Sequence, residues 1–186
     1  MDIKKTVFTA LFTALIAAGA FIIIPAGPVP VSLQTLFIIL AGMLGGRNIG
    51  VSSSLLYLVL GALGLPVFSG GTGGIAHLLG PTGGYLAAAV PAAYIAGVFS
   101  DLGRRSRCTA PPWVLYTAAA VSASLVFYAM GIPWLKFVLG LSWGSALAAG
   151  LVPFIIGDVL KAAAAVIITG KFRSRIDDVL YQGTQE

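Results

Sequence analysis

The sequence predicts an all-α integral membrane protein, a single six-transmembrane-helix bundle over residues 1–186. Three observations carry that expectation. The first is composition: 58% of the residues are hydrophobic and only 9% are charged, against about 25% charged in soluble domains. A soluble fold of this size could not hide so much apolar surface. The second is segmentation, because apolar runs alternate with Gly, Pro or basic punctuation. The third is the placement of the basic residues, which share one side of a six-span chain. The 24 glycines and 10 prolines agree, since both are commoner in membrane helices than in soluble ones.

The spans are expected at roughly 4–24, 31–45, 49–63, 84–100, 112–130 and 153–169. The first apolar run resembles a signal peptide in length. It enters Pro25-Ala26-Gly27-Pro28 without a convincing cleavage site and more spans follow, so it reads as a helix. Several spans fall short of the ~20 residues that cross a bilayer. Some helix ends should therefore stop inside the bundle beneath loops. The connection 64–82 is long and Gly-rich and has no acid, Lys or Arg. The connection 131–152 carries Trp134 and Trp143, which suit a membrane interface. Its stretch 145–150 reads either as a short helix or as the first turns of span six.

Lys4, Lys5, Arg47, Arg104, Arg105, Arg107, Lys171, Arg173 and Arg175 fall on one side of this arrangement, with Lys136 alone opposite. The positive-inside rule makes the first side cytoplasmic and puts both termini there. A five- or seven-span chain would scatter them. The formal charge of +5 could speak for nucleic acid, but membrane orientation accounts for it better, and no nucleic-acid partner is expected. Segment 64–82 then faces outward. Asp158 lies on the order of 8 Å below the outer end of the last span, at about 1.5 Å per residue. Cys108 is alone, so no internal disulfide is expected.

Asp158 and Lys161 are opposite charges within an apolar span. Each costs about 2.5–3.5 kcal/mol at membrane depth. Three residues apart on a helix, they share a face. Helical side chains lean toward their N-terminus, which is outward here. Together they offer an acceptor-only carboxylate and a three-donor ammonium. A ligand with neighbouring N–H and C=O groups, such as a cyclic urea or amide, would match both. The bland alternatives are an internal ion pair that fixes helix packing, or a proton relay.

A second constellation runs from Gly64 to Gly74 and continues as Gly80-Pro81-Thr82-Gly83-Gly84-Tyr85. Glycine lets backbone approach a ligand closely. The segment is expected to cap a cavity, with Gly73 and Gly74 near the ligand and Phe68 and Tyr85 as apolar walls; otherwise it is a flexible outer loop. It is no phosphate loop, because no Gly-Lys-Ser/Thr follows. Gln34 either contacts ligand or bonds to neighbouring helices. His77, the one histidine, lacks a second metal ligand nearby. No Ser–His–acid spacing appears, so no catalytic residue, metal or cofactor is expected. Thr6, Ala10, Ala14 and Ala18 form a small-residue stripe on span one. It either packs inside the bundle or docks an external partner. No Walker motif is present, so ATP-driven uptake would need another subunit.

The segments Pro30-Val31-Ser32-Leu33-Gln34-Thr35, Gly61-Ala62-Leu63-Gly64-Leu65-Pro66-Val67-Phe68, Gly80-Pro81-Thr82-Gly83-Gly84-Tyr85 and Gly157-Asp158 with Lys161 resemble the BioY family of biotin-uptake proteins. The likeness runs in order over nearly the whole chain, and Gly-Leu-Pro-Val-Phe and Gly-Pro-Thr-Gly-Gly-Tyr are its specific parts. The resemblance implies the substrate-binding (S) component of an energy-coupling-factor (ECF) transporter in the cell membrane. Such a component captures a vitamin from outside and associates with a transmembrane coupling protein and two ATPase subunits. The resemblance also implies docking through Ala10, Ala14 and Ala18, and contact of Asp158 and Lys161 with the biotin head. The ureido ring of biotin has two N–H donors and one C=O, which that pair complements. Some family members use further polar residues, for which this chain offers Ser69, Thr72, His77 and Tyr94 without an assigned correspondence. Two rivals remain at this level. One is a proton-coupled small-solute carrier built on the buried pair; the other is a small membrane enzyme using Asp158 as acid or base, for which no second catalytic group is evident.

Overall fold

A computed structural model describes residues 3–25, 28–104 and 110–181. Arg105, Arg107 and Cys108 lie outside the described residues. Helix α1 (Ile3–Phe21) ends earlier than the apolar run implied. Ile23–Ile24 forms a two-residue strand, β1, paired antiparallel with β2 (Val31–Ser32). The physical reason is local. A β-branched Ile run ahead of Pro25 favours extended backbone over helix. Span two accordingly begins at Gln34, after the hairpin, and not at Val31.

Helix α2 (Gln34–Ala62) covers the segments expected as spans two and three in one element, broken at Gly46 by φ 77° and ψ 177°. That backbone conformation favours glycine. The two halves turn back on each other: a Cβ placed on Gly50 would lie 2.8 Å from the Gly42 Cα. In a straight helix those residues would be about 12 Å apart. The short helices α3 (Ile75–Leu78) and α4 (Gly83–Ala87) follow, then α5 (Ala89–Gly103). Helix α6 (Pro112–Leu139) runs through Pro133 and past the expected end at 130, until Gly140 stops it in a left-handed turn at φ 63°. Residues 145–150 belong to a separate helix, α7 (Trp143–Gly150), capped by Ser142. Helix α8 (Ile155–Tyr181) extends well beyond 169.

Four helical stretches among the described residues are long and apolar enough to cross a membrane: α1, α2, α4 with α5, and α6. The α7–α8 pair, bent by 47°, makes a fifth. Small residues set a close crossing. Gly42 of α2 lies on Ala93 and Ala96 of α5, with no room for a Cβ, a packing mode suited to membranes. Thr13 of α1 donates to the Ser53 carbonyl of α2 at 3.2 Å, and Ser53 donates to Ile49 at 2.7 Å. The buried face of α1 is Phe12, Thr13, Ile16, Gly19 and Ala20. Ala10, Ala14 and Ala18 are exposed on the other face, so the stripe does not pack inside this bundle.

The far end of the bundle is tied by charge. Arg104 donates to Asp101 at 2.9 Å, to Asp177 at 2.7 Å and to the Leu44 carbonyl at 2.9 Å. Arg47 approaches Asp101 at 3.4 Å. The buried Arg173 donates to the Ser100 carbonyl and lies over the Tyr116 ring.

Candidate functional site

At the opposite end of α8 a partly enclosed cavity opens between the helices. Asp158 and Arg173 are about 22 Å apart along that helix, at ~1.5 Å per residue. The hairpin and the start of α2 bring Ser32, Gln34 and Thr35 to the cavity. The segment around α3 adds Ser69, His77 and Thr82, and α4 adds Tyr85 and Leu86. Phe127 and Tyr128 come from α6, and Phe154 comes from the turn before α8.

Asp158 and Lys161 lie in the first two turns of α8, where the positive end of the helix dipole favours a carboxylate. Lys161 Nζ is 2.5 Å from Asp158 Oδ1. The same ammonium donates to Thr35 Oγ1 at 2.8 Å and to the Ser32 carbonyl at 3.1 Å. Lys161 is 6% exposed, and these three partners use its three N–H donors. Asp158 is used less fully. Its Oδ1 accepts from Lys161 and its Oδ2 accepts from the Tyr128 hydroxyl. A carboxylate has about four acceptor positions, so about two remain for a donor in the cavity.

Asp158, Lys161, Gln34 and Tyr85 thus line one cavity. Tyr85 serves as wall: its ring stacks on Phe154 at 6.0 Å and its hydroxyl donates to the Gly150 carbonyl at 2.8 Å. Phe68, Gly73 and Gly74 are not on the wall, in contrast to the expectation for the Gly-rich segment. Phe68 is fully buried behind His77, stacked on that ring at 5.3 Å and edge-on to Tyr57 at 5.5 Å. The reason is Gly61, where any Cβ would meet the Phe68 ring at 2.1 Å; the missing side chain makes the socket. Gly73 is pressed against the Leu65 carbonyl. Gly74, at φ 92°, turns the chain into α3 and donates to the Gly61 carbonyl at 2.7 Å.

These glycines shape a tied-down cap, not a loose loop. Tyr57 donates to the Val67 carbonyl at 3.1 Å. His77 bonds to Thr72 through Nδ1 at 3.1 Å and to Thr82 through Nε2 at 3.2 Å. Burial lowers the pKa of His77 from its ordinary value, because desolvation disfavours the imidazolium. Of the four further polar residues, Ser69 and His77 line the cavity and Thr72 supports His77. Tyr94 is exposed on α5 away from it. Sequence reasoning missed Tyr128, Phe127 and Phe154, which sit in ordinary apolar helix and turn sequence. It also missed the Ser32 carbonyl, for which no side-chain signal exists. Thr35 stood in a quoted motif but had no assigned role. Among the described residues no three His, Cys, Asp or Glu side chains gather as a metal site would require.

The profile of the BioY family matches residues 1–178. The chain belongs to the BioY family. "Probable biotin transporter BioY" from Pyrococcus horikoshii is 44% identical over 173 residues, covering 93% of this chain and 98% of that protein. "Biotin transporter BioY" from Thermotoga maritima is 35% identical over 165 residues, 89% of this chain and 93% of that protein. The solved structure of an S-component for biotin from an ECF-type ABC transporter matches with a TM-score of 0.82 and 32% identity, over 93% of this chain and 92% of that one. Family membership agrees with the resemblance in the sequence.

Proposed function

We propose that this BioY-family chain is the biotin-binding S-component of an ATP-driven ECF transporter, and that it catalyses no reaction. One observation carries the reading. A half-buried carboxylate is clamped on both oxygens and still has acceptor positions free beside a cavity lined by aromatic and polar side chains. Asp158 accepts the ureido N–H groups of biotin. Lys161 has its donors committed and acts mainly by neutralising and holding Asp158. Gln34 and the Ser69 hydroxyl supply donors for the ureido carbonyl, while the Thr82 hydroxyl is spent on His77 Nε2. Tyr85, Phe127 and Phe154 cover the bicyclic ring.

The chain acts as one six-segment membrane unit, with the two halves of α2 counted separately and α7–α8 as the last crossing. The reversal at Gly46 supports that count. The basic end carrying Lys4, Lys5, Arg47, Arg104, Lys171, Arg173 and Arg175 is cytoplasmic, with both termini. The exposed Ala10, Ala14 and Ala18 face meets the transmembrane coupling protein, and two ATPase subunits drive the cycle. The test is equilibrium binding of radiolabelled biotin to the purified protein and to Asp158→Asn. Saturable binding that the variant loses supports the reading. Absent binding, or full affinity in the variant, rejects it.

A further inference from the structure

The cavity has a neighbour on the lipid side. An apolar groove runs between α6 and α8, lined by Val121 and Leu125 on one helix and Ile155 and Val159 on the other. These four side chains are exposed, and in a bilayer they meet acyl chains. Two residues line both the groove and the cavity: Tyr128 and Asp158. The partition between the two spaces therefore contains one hydrogen bond, from the Tyr128 hydroxyl to Asp158 Oδ2. The remaining polar residue of the groove, Ser124, spends its hydroxyl on the Ala120 carbonyl at 2.9 Å. Lys161 bonds the other carboxylate oxygen. Without the phenol, Oδ2 would border hydrocarbon with no donor, a costly arrangement for a charged group. The side chain would be free to swing toward the groove.

We infer that Tyr128 is a positioning residue that seals the recognition carboxylate from the bilayer and turns its open acceptor positions to the cavity alone. The seal has two consequences. Acyl chains and lipid-dissolved solutes in the groove meet an Asp158 oxygen already bonded to the phenol, and biotin approaches the open positions only from water. The inference rests on the reading of Asp158 as the biotin acceptor, but its test does not need biotin.

Protein in lipid nanodiscs is treated with dicyclohexylcarbodiimide, which partitions into lipid, or with a water-soluble carbodiimide. Modification of Asp158 is then quantified by peptide mass spectrometry. In the unsubstituted protein the water-soluble reagent is expected to label Asp158 more than the lipid-soluble one, with biotin protecting. In Tyr128→Phe the lipid-side labelling rises severalfold and biotin affinity falls roughly ten- to a hundredfold, the loss expected for one hydrogen bond to a charged group. Ser124→Ala, which alters only the groove, behaves as the unsubstituted protein. Equal lipid-side labelling in the unsubstituted protein and Tyr128→Phe overturns the seal. So does preferential lipid-side labelling of the unsubstituted protein, a result independent of whether the variant folds. If the labelling behaves as expected but Asp158→Asn binds biotin normally, the seal stands and the binding role of Asp158 fails. If Asp158→Asn loses biotin while Tyr128→Phe labels normally, the reverse holds.

Discussion

The two ends of α8 carry the same chemistry to different ends. At one, Asp158 and Lys161 sit beside a cavity, and the carboxylate keeps about half of its acceptor capacity open. At the other, Asp177 accepts from Arg104 through both Nε and Nη2, and Arg173 lies 3.5 Å from its second oxygen. Arg104 also holds Asp101 and the Leu44 carbonyl, so α2, α5 and α8 are joined through one guanidinium. A partly buried ion pair therefore marks a ligand site only when its bonding is incomplete and a void adjoins it. The Arg104–Asp177 network, which joins three helices and for which no cavity beside Asp177 or Arg173 is seen among the described residues, is a fastening even though Arg173 Nη1 has no partner there.

That contrast can be broken from either side. The largest effect is expected for Lys161→Met, which leaves the Asp158 carboxylate without its cation. Removing one partner of a buried pair costs about 3–5 kcal/mol. Biotin affinity should fall at least ~100-fold and the melting temperature should drop; an unchanged binding isotherm would remove the pair from the site. Asp177→Asn comes next. It should destabilise the protein by about 1–3 kcal/mol through lost charge-assisted bonds, while biotin affinity stays the same. A variant that melts normally but loses biotin would reverse the roles assigned to the two ends.

Ala14→Trp sharpens the comparison at a third surface. The bulky ring on the exposed face of α1 should abolish co-purification with the coupling protein and ATPases without changing biotin affinity. Intact assembly would move the docking face elsewhere. The smallest effect concerns pH. The folded pKa of His77 lies below its ordinary 6.5, so the fold favours neutral imidazole. Stability is present above that pH and is lost as pH falls below it, because the unfolded chain takes up the proton more readily. The melting temperature should decline modestly from pH 7 to 5, and His77→Gln should flatten the decline. An identical slope in the variant would show that other groups set it.

Much of this was legible in the sequence because membrane insertion imposes strong patterns. Apolar length marked most of the long helices, and the unusual cost of Asp158 and Lys161 in hydrocarbon singled out two residues that the structure brings to one cavity. The same logic could not see where bonds go. Phe68 reads as a cavity wall in a Gly-rich loop, yet Gly61, seven residues earlier, makes a socket that buries it. Tyr128 reads as one more aromatic in an apolar helix, because its partner lies 30 residues away. Gly46 sits in an apolar, Gly-rich run, and only its left-handed backbone converts that helix into a reversal. Ile23 and Ile24 were absorbed into a span because hydropathy carries no information about backbone direction.

The most direct measurement is a structure of the purified protein with biotin bound. The account predicts the ureido ring in the cavity, with an N–H within about 3.2 Å of an Asp158 oxygen and Lys161 still paired to it. Biotin seated elsewhere, or its carboxylate rather than its ring against Asp158 and Lys161, would contradict it.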